Sequence, residues 1–121
     1  MTKIQNSRRF DLEERTFQFA KSVVMYTKQL PHSVSNLEYI RQGIDSSGSV
    51  GANYIEANEA LSKKDFVMRI KICRKEAKES AYWLRLIIET NEERWRREGE
   101  NLLNEALELK KIFSSILERS K

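Results

Sequence analysis

Apolar residues recur at steps of three and four along most of the chain. Leu12, Thr16, Phe19, Val23, Tyr26 and Leu30 form one such stripe, the spacing of a helix with one buried face. It predicts a first helix from near Asp11 to about Gln29, ended by Pro31, which has no amide hydrogen to continue the ladder. Residues 1–9 are polar and are expected to fray. Ser35-Asn36-Leu37-Glu38 has the form of a capping box, Ser followed by Glu three positions on. A second helix is therefore expected from near Asn36 to about Leu61. Ser62-Lys63-Lys64-Asp65 repeats the pattern with a shorter acid ahead of Phe66 and starts a third helix, running to about Thr90. Asn91, followed by Glu92 and Glu93, is the expected cap of a fourth helix ending near Ser120, with Gly99 weakening its first turns. The two middle helices would each be roughly 38 Å long at 1.5 Å per residue. Long helices joined by short connections predict an all-α fold, an antiparallel up-and-down four-helix bundle, as one domain over residues 1–121.

The middle helices carry more apolar pattern than a bundle core needs. On the third helix, Phe66, Ile70, Cys73, Ala77, Ser80, Leu84 and Ile88 make one stripe, the expected core. Met68, Ile72, Glu76, Glu79, Trp83 and Leu86 make another, about 100–120° around the helix. On the second helix, Leu37, Ile40, Ile44, Gly51, Ile55 and Asn58 face one way. Tyr39, Gly43, Ser46, Val50, Asn53 and Ala57 face another, and most of that set is small. One reading is a single wide apolar arc in a monomer. The other, favoured here, is one surface for the core and one for a partner subunit. It assigns Tyr39, Gly43, Ser46, Val50, Asn53, Met68, Ile72, Trp83 and Leu86 to a homo-oligomer interface.

Composition narrows the class. Gly 4 and Pro 1 in 121 residues leave too few turns for a β-sandwich or barrel. The single cysteine, Cys73, excludes an intrachain disulfide, and the N-terminal segment has no apolar core of a signal peptide. No apolar run approaches the roughly 18 residues that span a bilayer. The cytoplasm is the expected location, with no membrane partner.

Candidate chemistry is sparse. Asn53 with Glu56, Glu76 with Glu79, and Glu105 with Glu108 are polar pairs one turn apart on three helices. A carboxylate-bundle metal site would also need an E-x-x-H motif on each of two helices. The only histidine, His32, follows Pro31 in a loop. Ser46, Ser47 and Ser49 have no histidine base in their segment, and Cys73 lies on the core stripe. Ser47-Gly48-Ser49-Val50-Gly51 lacks the lysine of a phosphate loop and reads as mid-helix. No catalytic residue, metal ligand or cofactor is expected.

The charge pattern carries a further signal. The chain has a net charge of +4. Between Lys63 and Lys78, seven cations face only Asp65 and Glu76, a net of +5. Lys64, Lys71, Lys75 and Lys78 share one face, opposite Phe66 and Cys73, with Arg74 beside them. This is either a solvated face or a strip that binds nucleic-acid phosphates through Lys64, Lys71, Arg74, Lys75 and Lys78. Stacking aromatics are not interleaved with it, which argues against base-specific single-strand binding. Arg94, Arg96 and Arg97 form a second basic cluster beside Trp95.

The order of segments resembles a known family. Ser49-Val50-Gly51-Ala52-Asn53-Tyr54-Ile55-Glu56-Ala57 is followed by Ser62-Lys63-Lys64-Asp65-Phe66, then Lys75-Glu76-Ala77-Lys78-Glu79 and Tyr82-Trp83-Leu84. Glu105-Ala106, Glu108-Leu109 and Ile112-Phe113 complete the set. From about Phe10 to Leu117 the chain resembles the bacterial four-helix-bundle proteins of 23S ribosomal RNA intervening sequences. It is also similar to the accessory protein of diversity-generating retroelements, a basic pentamer that binds a reverse transcriptase and nucleic acid. The resemblance implies a four-helix bundle assembled as a ring-shaped homopentamer, without established enzymatic activity. Asp45 departs from it, since the family often carries a basic residue there.

Three function classes follow. The leading expectation is a non-catalytic oligomeric scaffold that binds RNA, DNA or a nucleic-acid enzyme through the basic helix face. The second is a purely protein-binding assembly with a solvated basic face. The third is a carboxylate-bundle metalloprotein.

Overall fold

The computed structural model describes the backbone of residues 2–121 and the side chains of residues 11–121. Four α-helices succeed one another: α1 (Thr2–Thr27), α2 (Val34–Asn58), α3 (Lys63–Thr90) and α4 (Arg96–Arg119). A 3-10 turn, Glu93–Trp95, leads into α4. No strand occurs among the described residues. Asn36 meets Asn91, Ser46 meets Ser80 and Asn53 meets Arg69, so α2 and α3 run antiparallel. Arg15 meets Glu105 and Tyr26 meets Trp95, so α1 and α4 do too. The fold is an all-α, antiparallel up-and-down four-helix bundle. α3 packs extensively on both α2 and α4, whereas α1 rests more lightly on α2 and α4.

Helix ends follow side-chain hydrogen bonding more than local motif. α1 begins at Thr2, earlier than the expected start near Asp11. Residues 2–9, expected to fray, are helical, and Met1 lies outside the described residues. Ser33, not Ser35, caps α2, accepting from the Asn36 amide at 3.2 Å. The reason is Asn36 itself, which is buried and exchanges two 2.8 Å hydrogen bonds with Asn91 while donating to the Pro31 carbonyl. Glu38, expected to complete the capping box, instead accepts from Arg41 and Gln42. α2 stops at Asn58, where the side-chain amide donates to Glu13 at 2.7 Å, short of the expected Leu61. Ser62 caps α3 as its motif predicts, accepting from the Asp65 amide at 3.0 Å. Asn91 does not cap α4, because its amide turns back to Asn36 and to the Ile87 carbonyl.

The α1 stripe is buried in full, from Leu12 to Leu30. So is the α3 stripe from Ile70 to Ile88, with Phe66 packed at its edge. α4 adds Leu102, Ala106, Leu109 and Phe113. On α2 the two faces exchange roles. The small set, Gly43, Ser46, Val50 and Ala57, is buried together with Ser47 and Tyr54. Leu37, Ile44 and Ile55, expected inside, are 52%, 39% and 49% exposed. Small residues win the inside because α2 and α3 approach closely enough for the Ser80 hydroxyl to donate to Ser46 at 3.0 Å. Ser46 in turn bonds the Gly43 carbonyl, so the buried hydroxyls are satisfied.

Two glycines sit where a β-carbon does not fit. At Gly51 it would lie 2.9 Å from Thr16 Oγ1, and at Gly99 it would lie 2.6 Å from Tyr26 Oη and 2.7 Å from Ile88 Cγ1. Gly99 thus seats α4 against the Tyr26 phenol, whose hydroxyl donates to the Trp95 carbonyl at 2.8 Å. A β-carbon at Gly48 would have nothing within 4 Å. Gly99→Ala should therefore lose about 1–2 kcal/mol of stability through overpacking. Gly48→Ala should gain up to about 1 kcal/mol from helix propensity. Urea unfolding of both variants at one fixed protein concentration checks the opposite signs.

Candidate nucleic-acid interface

The basic residues of α3 lie along its outer ridge because its other side is committed to the core. Lys64, Lys71, Lys75 and Lys78 are exposed and Arg74 is half-buried. Lys71, Arg74, Lys75 and Lys78 line one groove with Lys110 and Ser114 of α4. Lys63, Lys64, Val67, Met68 and Lys71 line an adjoining hollow, so Lys64 joins the strip through Lys71. A third hollow places Lys71 and Arg74 beside Lys121 and Glu118 of the C-terminal end. Lys71 is common to all three.

Neutralisation separates this strip from the other basic cluster. Lys75 approaches Glu79 at 3.9 Å, a loose surface pair. Lys64, Lys71, Arg74, Lys78 and Lys110 make no ion pair among the described residues. Arg96, in contrast, is held by Glu89, Glu93 and Glu100 at 3.2–3.4 Å, and these carboxylates raise its guanidinium pKa further. Arg94 pairs with Glu92 and lies 4.7 Å over the Trp95 ring. The Arg94–Arg97 cluster is largely spent on its own neighbours, whereas the α3 strip has only the loose Lys75–Glu79 pair among the described residues.

The residues expected at a subunit interface divide. Gly43, Ser46 and Val50 are buried within the chain by the α2–α3 contact, so they offer nothing to a second copy. Tyr39, Asn53, Ile72, Trp83 and Leu86 are half-buried, and Met68 is exposed. Tyr39 and Trp83 stack across α2 and α3 at 6.1 Å, and Asn53 accepts from Arg69 at 3.0 Å.

The polar groups weighed for catalysis are engaged elsewhere. Glu105 accepts a two-pronged ion pair from Arg15 at 2.7 and 2.8 Å, tying α1 to α4. Among the described residues no three His, Cys, Asp or Glu side chains gather as a metal site. Ser47 and Ser49 hydroxyls donate to the Ile44 and Asp45 carbonyls of their own helix. Cys73 is fully buried, and burial pushes its thiol up to about 12. Glu76 is half-buried beside Glu79 and Asp45, and desolvation first, then these charges, raises its carboxyl.

The profile of 23S rRNA-intervening sequence proteins matches residues 8–115. The chain belongs to that family. It is also similar to a crystal structure of a protein of unknown function from the S23 ribosomal protein family of Bacteroides thetaiotaomicron. The two are 32% identical, with a TM-score of 0.74, over 87% of this chain and 96% of that one. Among curated proteins none matches. No helix among the described residues is long and apolar enough to cross a membrane.

Sequence reasoning located the α3 cations but missed Lys110 and Ser114. They lie more than thirty positions downstream, and their only local signal is a four-residue spacing on one face of α4.

Two outcomes follow from the titrating groups. Cys73 should resist alkylation in the folded protein through pH 9 and react only on unfolding, measured by mass shift with iodoacetamide. The raised Glu76 pKa means its neutral form favours folding below the unfolded carboxylate range, a gain lost as pH rises through the folded value. Glu76→Gln should therefore raise the melting temperature at pH 7 and converge with wild type below about pH 4.

Proposed function

We propose that this family member is a non-catalytic, self-associating scaffold that binds the phosphate backbone of RNA or DNA along α3 and its groove with α4. The observation that carries this reading is the row of unneutralised cations, Lys64, Lys71, Arg74, Lys78 and Lys110, with Lys75 only loosely paired. A phosphate chain is the polyanion whose repeat can meet such a row, and each contact releases a condensed counterion. The non-catalytic part is supported by the burial of Cys73 and the helix-bonded serines.

Self-association is supported by large apolar side chains left at the surface: Phe17 and Met25 on α1, Leu37, Ile44 and Ile55 on α2, and Met68 on α3. Large apolar side chains exposed on several helices are the raw material of an interaction surface. Five copies is the stoichiometry we assign, on the family resemblance. A ring would repeat the basic strip in each subunit, and linked weak sites gain through effective concentration.

Light scattering on a sizing column should give a mass several times that of one chain at micromolar concentration; a single-chain mass overturns self-association. Fluorescence anisotropy with mixed-sequence RNA and DNA should show binding that falls ~100-fold between 50 and 200 mM salt for about five phosphate contacts. Lys71→Glu with Lys75→Glu should abolish it in an intact assembly. Absence of binding at low salt would assign the basic face to a protein partner instead.

A further inference from the structure

We infer that Tyr82 is a base-stacking platform at the end of the basic strip, so that the strip takes single-stranded nucleic acid in preference to duplex. The inference rests on the phosphate-binding reading above and specifies its ligand. At 100° per residue, Lys64, Lys71, Lys75, Lys78 and Tyr82 fall within an arc of about 60° on α3. Tyr82 lies one turn beyond Lys78, about 6 Å along the axis. It is 57% exposed, and from Lys64 up to Tyr82 every other residue within that arc is a lysine. Core packing does not account for an aromatic there.

The ring is also braced. Trp83 meets Tyr82 edge-on, with centroids 5.1 Å apart and planes at 77°. Trp83 is itself stacked on Tyr39 of α2 at 6.1 Å. A chain of three rings therefore fixes the exposed phenol to the α2–α3 seam, which lowers the entropy lost when a ligand stacks on it. Arg85, also exposed, follows Tyr82 by three residues and continues the positive charge past the ring. Cations before and after an exposed aromatic are the arrangement that holds a strand by its phosphates and one base by its face. In a duplex both faces of an internal base are covered by its neighbours, so only an unpaired base can use the ring. Tyr82 stands at the end of the strip and is not interleaved with its lysines, so the stacking inferred here is independent of base identity.

The test uses the full-length protein and four fluorescent probes: a mixed-sequence single strand as RNA and as DNA, the DNA strand with abasic sites throughout, and the same DNA as a duplex. Wild type should bind both single strands comparably, since stacking does not read the sugar, and about tenfold or more above the duplex. Tyr82→Ala should weaken single-strand binding about 5- to 150-fold and leave duplex binding unchanged. Tyr82→Phe should retain it, and the abasic strand should bind wild type as weakly as the intact strand binds Tyr82→Ala. Circular dichroism and sizing of each variant establish that fold and assembly persist, and the abasic strand gives the answer on wild type if Tyr82→Ala is lost to misfolding. Equal binding of intact and abasic strands, or of single strand and duplex, overturns the platform. Binding that survives Lys71→Glu with Lys75→Glu overturns instead the basic strip on which the inference stands.

Discussion

The close approach of α2 to α3 is the constraint on which the rest of the molecule depends. At this contact Ser46 meets Ser80, and a β-carbon at Gly43 would lie 3.8 Å from Trp83 Cβ, so the inward positions of α2 are held to small residues. Two serine hydroxyls share a hydrogen bond at the contact. Larger side chains would force the helices apart and leave those hydroxyls buried without partners, an expensive state. Because small residues take the inside, the larger residues of α2 are displaced outward. Leu37, Ile44 and Ile55 on its outer face, and the Tyr39–Trp83 stack along the seam, are consequences of that one contact.

The same contact fixes the orientation of α3. With Cys73 and Ala77 at the bottom of the interface, Lys64, Lys71, Lys75 and Lys78 have nowhere to point but solvent. α4 then closes one side of the ridge and brings Lys110 and Ser114 to it. The acidic residues of α4 pair with other cations: Glu105 with Arg15 of α1, Glu108 with Lys111, and Glu118, at the C-terminal edge of this face, with Lys121. The exposed cations thus lie on α3, while Leu37, Ile44 and Ile55 are exposed on α2.

α1 is attached by a different means. Its hydrophobic stripe is complete, but its register is held by polar contacts at three levels: Asn58 to Glu13, Arg15 to Glu105, and Tyr26 to the Trp95 carbonyl. The last is buried enough to hold the phenol up to about 12, with Glu98 adding to the effect of burial. At the opposite seam the reciprocal Asn36–Asn91 pair joins the start of α2 to the end of α3. These amides displaced two helix caps from the positions that local motifs specify, since a buried amide without partners costs more than a cap gains.

Periodicity and the scarcity of glycine and proline were enough to establish four helices, their order and the antiparallel bundle, because spacing at 3.6 residues per turn is a property of each helix alone. The Ser62 cap and the α1 and α3 cores were legible for the same reason. The α3 cations were legible too, since they share a face of one helix. Which stripe of α2 turns inward was not, because two apolar faces satisfy the same period and only the interhelical distance chooses the smaller one. Nor were Lys110 and Ser114 beside Lys71, the Asn36–Asn91 pair, or the exposure of Tyr82 next to a half-buried Trp83. Each depends on the register in which two helices meet, and that register is set by packing between residues far apart in the chain.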